Sequence, residues 1–341
     1  MGIEEEYINI LHGAGGRVMS EFIREVIIPS FSLRSPNRGI GLDYMDDGGA
    51  IILDGQKIVM TIDAHTVFPI FFPGGDIGRL AVSGAINDLA CMGARPLALA
   101  LTLVIEEGFS FSSLKRILKS INDTSVECKV PIICGDTKVV EKGVVDQIIV
   151  STCAVGVAEK GIILDCGVKP GDKIIVTGSI GDHAAALLAC RENIGFDVDI
   201  KSDVSPLWDV VEAALNAGEI HAMKDPTRGG LSTALNELAE KSQVDIIVEE
   251  ACIPIKPEVQ AISEVLGIDP LDSTNEGKII MAVSPDSAEN VLSTIRKNPK
   301  ARDAAIIGEA VSGEGKVLLK TVAGGTRLLT PPLGTQVPRV C

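Results

Sequence analysis

Two sets of residues in this chain have types and spacings that suit chemistry. The first is the end of the sequence, Pro338-Arg339-Val340-Cys341, a thiol on a segment with no aromatic anchor. Pro338 fixes its own φ and biases Val337 toward an extended conformation, so the segment is expected to reach outward as an arm. A carrier thiol, a metal ligand, a redox thiol and an uninvolved last residue all remain open. Prenylation is excluded, because it needs cysteine four residues from the end. The second set is six aspartates at expected element ends: Asp43, Asp46, Asp47, Asp63, Asp88 and Asp136. A lone aspartate there caps a helix or closes a turn. Several in glycine-rich surroundings, Asp46-Asp47-Gly48-Gly49 and Gly135-Asp136, suit carboxylates that hold Mg²⁺ across a ligand's phosphates.

No Gly-x-x-x-x-Gly-Lys-Ser/Thr string occurs, and no Gly-x-Gly-x-x-Gly lies between a strand and a helix, so any ATP binds outside those two modes. His12-Gly13-Ala14-Gly15-Gly16-Arg17 can fold over phosphates or serve as a plain flexible loop. The four histidines form no His-x-x-x-His or Cys/His cluster, which argues against zinc. Taken singly, each reads as structural or surface.

These residues need a scaffold, and 341 residues suffice for two domains with their own cores. Hydrophobic residues make up 46%, aromatics only 3%, and there are 35 glycines, a profile of a mixed α/β or α+β enzyme. The formal net charge of −15 argues against nucleic acid and an anionic membrane surface. No apolar run is long enough to span a bilayer. The acidic start, Met1 to Glu6, matches neither a secretory signal nor a myristoylation site. Eight cysteines without a Cys-x-x-Cys pair read as reduced, cytoplasmic thiols.

Periodicity predicts a loop-rich stretch to about residue 55, a strand over 57–63, a helix over 77–92 and a strand over 96–104. A helix follows over 111–126, a short buried strand over 131–134 and a strand over 147–157. After a break near 160–171 come a strand at 173–177 and helices at 182–191, 205–217 and 228–241. Strands are expected at 245–248, 278–283, 305–308 and 316–320. We place an N-terminal domain at 1–160, a second at 161–323 and a mobile tail at 324–341.

Particular strings then narrow the reading. Val82-Ser-Gly-Ala-Ile-Asn87-Asp88-Leu-Ala-Cys-Met-Gly-Ala-Arg-Pro96, Asp46-Asp47-Gly48, Thr61-Ile-Asp63, Gly135-Asp136-Thr-Lys138 and Asp225-Pro-Thr-Arg-Gly-Gly230 resemble, in order, the aminoimidazole ribonucleotide synthetase (PurM-like) superfamily. Within it, His12-Gly-x-Gly-Gly-Arg17, the stretch from Ile62 to Gly78 and the Pro-Arg-Val-Cys end resemble the HypE family of hydrogenase maturation factors, the carbamoyl dehydratases. That family's tail usually reads Pro-Arg-Ile-Cys, so Val340 is a mild change.

The resemblance implies a PurM-like fold: an N-terminal domain that forms a shared barrel in a homodimer, a C-terminal α/β domain and a flexible tail. It implies ATP-dependent dehydration of a thiocarboxamide on Cys341 to a thiocyanate, the source of cyanide for the Fe(CN)₂CO group of [NiFe]-hydrogenase. The implied partners are a carbamoyltransferase that loads Cys341 and an iron-scaffold maturation complex. Matching family positions make Glu276 the base and let Lys138 polarise the carbonyl oxygen or the departing phosphate. They assign Asp43, Asp47, Asp63, His65, Asn87, Asp88, Gly135, Asp136 and Arg228 to the nucleotide, and Asp46, Asp47, Asp63, Asp88 and Asp136 to Mg²⁺. Two rivals remain: a small-molecule kinase or synthetase of the same superfamily, and a non-enzymatic carrier scaffold.

Overall fold

The computed structural model describes residues 7–191, 200–334, 337 and 339–341, so the expectations for Pro338 and for the acidic start lie outside the described residues. The first half contains α1 (Gly16–Phe22), β1 (Gly39–Ile40), β2 (Gly49–Leu53), β3 (Gln56–His65), β4 (Phe71–Phe72) and β5 (Gly75–Asp76). It continues with α2 (Ile77–Cys91), β6 (Arg95–Glu106), α3 (Phe111–Cys128), β7 (Ile132–Val140) and β8 (Ile148–Val157). One six-stranded sheet runs in the order β1-β2-β3-β8-β6-β7, with only the β6–β7 pair parallel.

Helix α2 lies under this sheet. Asp76 caps it, accepting from the amides of Gly78 at 2.8 Å and Arg79 at 3.0 Å, a cap worth about 1 kcal/mol. Its residues are small or aliphatic on nearly every side, and thirteen of fifteen are buried, the pattern of a core helix rather than a surface one. Helix α3 packs outside it, burying Ile117, Ile121 and Thr124 and half-burying Leu114 and Cys128.

The second half contains β9 (Lys173–Val176), α4 (Asp182–Arg191), α5 (Trp208–Ala217), β10 (Ile220–Lys224), α6 (Gly230–Ser242) and β11 (Val244–Glu249). Then come α7 (Pro257–Leu266), β12 (Ile280–Val283), α8 (Ala288–Ile295), β13 (Ala305–Ser312), β14 (Val317–Lys320) and β15 (Thr326–Leu328). A seven-stranded sheet in the order β10-β12-β9-β13-β11-β14-β15 carries helices on it. Three apolar clusters fill this half, one around α6, one around α5 and α8 and a smaller one between α4 and α7.

Three expectations change. The strand expected at 131–134 as short and buried extends to Val140 and is the exposed edge of its sheet. Its apolar residues look like core, but only β6 pairs with it. The loop-rich start holds α1 and β2. The segment from residue 324 opens with β15 against β14, and its last residues are seated inward (below).

Candidate active site

One strand, one helix and two loops bring one acidic cluster together. On β3, Thr61, Asp63 and His65 alternate onto the face that meets α2. Gly84 of α2 makes room there: a Cβ would lie 3.1 Å from both Asp63 Oδ2 and His65 Nε2. One turn further along α2 come Asn87 and Asp88, and a turn beyond them Cys91. The loop before β2 adds Asp46 and Asp47, and the loop after β10 adds Asp225. Thr61 Oγ1 donates to Asp88 Oδ2 at 2.6 Å.

Like charges dominate here. Burial, then Asp63, Asp225 and Asp47, push the Asp88 carboxyl well above its ordinary range. Burial and Asp47 push Asp225 up to about 8. Burial pushes Asp46 up to about 7, helped by Asp47 and Asp165. Lys224 is the buried counter-charge: burial pulls its pKa down, but Asp47, Glu237 and Asp165 hold it well above normal. Its Nζ lies 2.7 Å from Asp47 Oδ1 and 3.2 Å from Glu237. Asp47 Oδ2 is buried with no hydrogen-bond partner. A surplus of buried carboxylates with an unspent oxygen fits a magnesium ion, which takes oxygen ligands.

The cluster opens into an 830 Å³ cleft between the two halves. At one end stand Asp46, Asp47, Lys224, Asp225 and Arg228 with Gly15 and Gly16. At the other, Ile27, Phe31, Ile51, Ile58 and Met60 make an apolar wall. A charged end and an apolar end in one cleft suit a ligand with phosphates and a flat ring. Gly15, at φ +76, lets the His12–Arg17 loop lie on Arg228, since a Cβ would sit 2.6 Å from Arg228 Cβ. The Arg228 guanidinium also donates to Gly13 O at 3.3 Å.

Cys341 lies beside this end, not in solvent. Burial pushes its thiol up to about 12; Arg228 opposes the rise, while Glu276, Asp63 and Asp225 add to it. His183 Nε2 lies 2.7 Å from Val340 O, and its Nδ1 lies 2.7 Å from Ser202 Oγ. Burial lowers the His183 pKa, so the ring is neutral and donates to Val340. Arg191 donates to Arg339 O at 2.6 Å, and Phe68 N to the same oxygen at 3.1 Å. Arg339 donates to Thr66 O at 2.9 Å and pairs with Asp146.

Glu276 is 3% exposed, and its Oε1 has no hydrogen-bond partner. Burial, then Asp225, Asp203 and Asp63, push its carboxyl well up, against Arg228. Asp203 holds the loop, accepting from the amides of Glu276 and Gly277 at 3.2 Å each and from Lys278 Nζ at 2.9 Å. Residue 277 must be glycine, because a Cβ would stand 1.9 Å from Asp203 O.

Not every expected residue arrives. Asp43 is exposed at the cleft rim, paired with Arg34 at 2.7 Å. Both oxygens of Asp46 accept from backbone amides, of Asp47 at 2.8 Å and Asp165 at 3.0 Å, so it holds its loop. Asn87 ties the halves together, donating to Ser205 O and Glu276 O and accepting from Leu207 N. Gly135, Asp136 and Lys138 lie on β7. In register, Asp63 faces Thr152, which faces Leu101, which faces Gly135. That is three strand spacings, about 14 Å. Asp136 and Lys138 pair with Thr102 and Val104 on the face turned away from α2. One chain therefore leaves these two outside the cluster. Asp225, Lys224, Asp203 and His183 were not singled out from sequence. Only Asp225 had a signal, its place in Asp225-Pro-Thr-Arg-Gly-Gly.

The architecture and the acidic cleft define an AIR synthase-type protein. Residues 45–158 match the model for the N-terminal domain of AIR synthase related proteins, and 169–320 that for the C-terminal domain. A putative hydrogenase expression/formation protein of Methanocaldococcus jannaschii is 52% identical over 98% of this chain and 99% of its own length. The carbamoyl dehydratase HypE of Rhizobium leguminosarum bv. viciae is 44% identical over 98% and 95%. The chain belongs to the HypE family. HypE in a crystal structure with HypF superposes with a TM-score of 0.85 at 40% identity, covering 91% of this chain and 99% of that one. HypE in complex with ATP does so with 0.81 at 37%, covering 98% and 100%.

Proposed function

We infer that this protein is an ATP-dependent carbamoyl dehydratase of hydrogenase maturation that acts on its own Cys341. The observation that carries the reading is the seat of that thiol, beside Arg228 and Glu276 at the charged end of the cleft. Loaded, the thiol is S–C(=O)–NH₂; after turnover it is S–C≡N. The carbonyl oxygen takes the γ-phosphoryl group and departs as phosphate, leaving ADP, so no free water is expelled.

Asp47, Asp63, Asp88 and Asp225 would hold magnesium, which when bound offsets phosphate charge and aligns the group in transfer. Arg228 stands where it can orient the carbonyl oxygen and stabilise negative charge on it. Nitrogen gives up two protons, one as its carbonyl oxygen is phosphorylated and one as phosphate departs; Glu276 takes the first, and the departing phosphate carries off the second. Burial makes an ionised Glu276 a stronger base than a surface glutamate. His183 and Arg339 hold the tail, so the reacting carbon is placed by backbone contacts.

Cys341 seated this deeply must leave to be loaded. The family resemblance supports a carbamoyltransferase as the partner that loads it and an iron-scaffold complex as the one that takes the cyanide. In this reading the protein is cytoplasmic, with domains at 1–160 and 161–323 and a tail at 324–341. Among the described residues no helix is long and apolar enough to cross a membrane.

A homodimer supplies what one chain lacks. The outer face of the first sheet exposes Ile62 (71%) and Met60, and the β7 edge exposes Ile133 (69%) and Val139. A second copy covering this surface closes the shared barrel and brings its own Asp136 and Lys138 toward the partner's cleft.

Intact mass spectrometry of the carbamoylated protein, before and after Mg-ATP, tests the reading. Loss of one water from a species mapped to Cys341 is expected. A loaded thiol that keeps its mass through complete ATP hydrolysis sinks it.

A further inference from the structure

The last turn of α2 carries a residue the dehydration reading does not use. Cys91 is 1% exposed, packed in the apolar cluster around α5 and α8, with its sulfur behind the acidic end of the cleft. Its Sγ and one carboxylate oxygen each of Asp47 and Asp225 lie within 4.8 Å of one another. The Asp47 side chain is 8% exposed; Lys224 occupies its Oδ1, and its Oδ2 is buried with no hydrogen-bond partner. A buried carboxylate oxygen without a donor is costly, and a cation removes that cost.

The three donors come from three separate elements: the loop before β2, the end of α2 and the loop after β10. Their types do not match one metal class. Magnesium takes hard oxygen donors in an octahedron and keeps several waters, so it has no use for sulfur. Zinc and cadmium accept thiolate and carboxylate together in a four-coordinate shell. At zinc bond lengths a tetrahedral oxygen–sulfur pair stands about 3.5 Å apart, so the three side chains close by little more than about 1 Å.

We propose that Asp47, Cys91 and Asp225 form a site for a thiophilic divalent cation of the zinc class, sharing two carboxylates with the magnesium expected for ATP. The sulfur enters as thiolate: Cys91–SH and M²⁺ give Cys91–S–M⁺ and one proton released to solvent. Cleft water completes the shell. The two occupancies exclude one another, so zinc inhibits ATP-dependent turnover and a chelator restores it. The proposal needs the carboxylate cluster but not the dehydration chemistry.

The test titrates Cd²⁺ into the full-length protein carrying Cys341→Ala, which removes the tail thiol, and reads the ultraviolet sulfur-to-cadmium charge-transfer band. One equivalent is expected to produce the band. Cys91→Ser should abolish it, and Asp225→Asn should weaken binding at least about tenfold. The same band in Cys91→Ser, no band in the parent, or a band indifferent to Asp225→Asn overturns the proposal. If Cys91→Ser does not fold, zinc-edge X-ray absorption of the parent decides: one sulfur in the shell supports the site, and oxygen and nitrogen alone refute it. Mg-ATP binding is measured alongside. A missing sulfur band with intact Mg-ATP binding removes this proposal alone, whereas absent Mg-ATP binding removes the nucleotide reading.

Discussion

At the acidic end of the cleft, Asp47, Asp63, Asp88 and Asp225 face one another with Lys224 as their buried counter-charge, and burial and the neighbouring acids push the carboxyls of Asp88 and Asp225 up. Around the Cys341 seat the charges are matched: Asp203 with Lys278, Arg339 with Asp146, and a neutral His183 donating to Val340. Burial holds the Asp203 carboxyl up, but Lys278 beside it and the amides it accepts from bring it below its ordinary range. The first region is left with unmatched acid, whereas the contacts that hold the tail's backbone are each paired within the chain. Strain left in the folded chain thus marks where something foreign binds, and satisfied contacts mark where the chain binds itself.

The largest effect expected comes where the two regions meet. Glu276→Gln keeps the loop, since Asp203 grips the backbone amides, but removes the base. Dehydration should slow by about 10²–10⁴-fold with ATP binding retained. Because burial and the neighbouring acids push the Glu276 carboxyl up, wild-type turnover should rise with pH through that raised pKa, and the limb should vanish in Glu276→Gln. Mixing Glu276→Gln with Lys138→Ala sharpens the reading. If the site spans two copies, mixed dimers rebuild one site of two, and half of randomly exchanged dimers are mixed, so about a quarter of the wild-type rate returns. A mixture as dead as its parts leaves Lys138 to act within its own chain.

A smaller effect tests the strain itself. A carboxyl whose folded pKa lies above its unfolded value holds its proton more tightly in the folded state. Its stabilising contribution is therefore full below about pH 4 and is lost as pH rises to about 7 for Asp46 and about 8 for Asp225. Without divalent cations, stability against urea should fall across that window, by up to about 1.4 kcal/mol per pH unit for each proton involved. Asp225→Asn should flatten the curve and raise stability near pH 8, and Mg²⁺ should do the same for wild type. A profile unchanged by both would mean the cluster is not strained.

Much of this was open to sequence reading where physics is local. The helix over 77–92 and the strands over 57–63, 96–104 and 147–157 follow from periodicity and appear within three residues at each end. Asp47, Asp63 and Asp88 stood out because glycines and strand ends surround them. What periodicity cannot see is what packs against what. Strand β7 reads as core by composition, yet it is an edge. Strand β10 was missed because Ile220–Lys224 is short and ends on a lysine, and its partner β12 lies sixty residues away. Asp203, His183 and Lys224 carry no local signal at all, because their roles come from contacts with Glu276, Val340 and Asp47. The tail, rich in Pro, Gly and Thr, reads as an arm, because its seat is built by residues hundreds of positions earlier.

The smallest effect concerns how firmly that seat holds. Arg339 sits at φ +53, a left-handed conformation that costs a non-glycine residue about 1–2 kcal/mol. Its side chain offsets this by bonding Thr66 O, pairing with Asp146 and lying 5.4 Å over the Phe68 ring. The backbone contacts of Arg339 O with Arg191 and Phe68 remain when the side chain is removed, so release should be partial. Arg339→Ala should raise the alkylation rate of Cys341 about tenfold, the equivalent of about 1.4 kcal/mol. Asp146→Asn removes only a solvent-facing ion pair, worth about 0.5–1 kcal/mol, and should raise it about two- to fivefold. Peptide mapping after iodoacetamide reads both rates. Equal protection in all three proteins would place the hold on the tail elsewhere, in His183 and the buried Val340 and Val337. A seat of this strength suits a thiol that must be held for dehydration and given up for loading, since a firmer one would make the partner work against it.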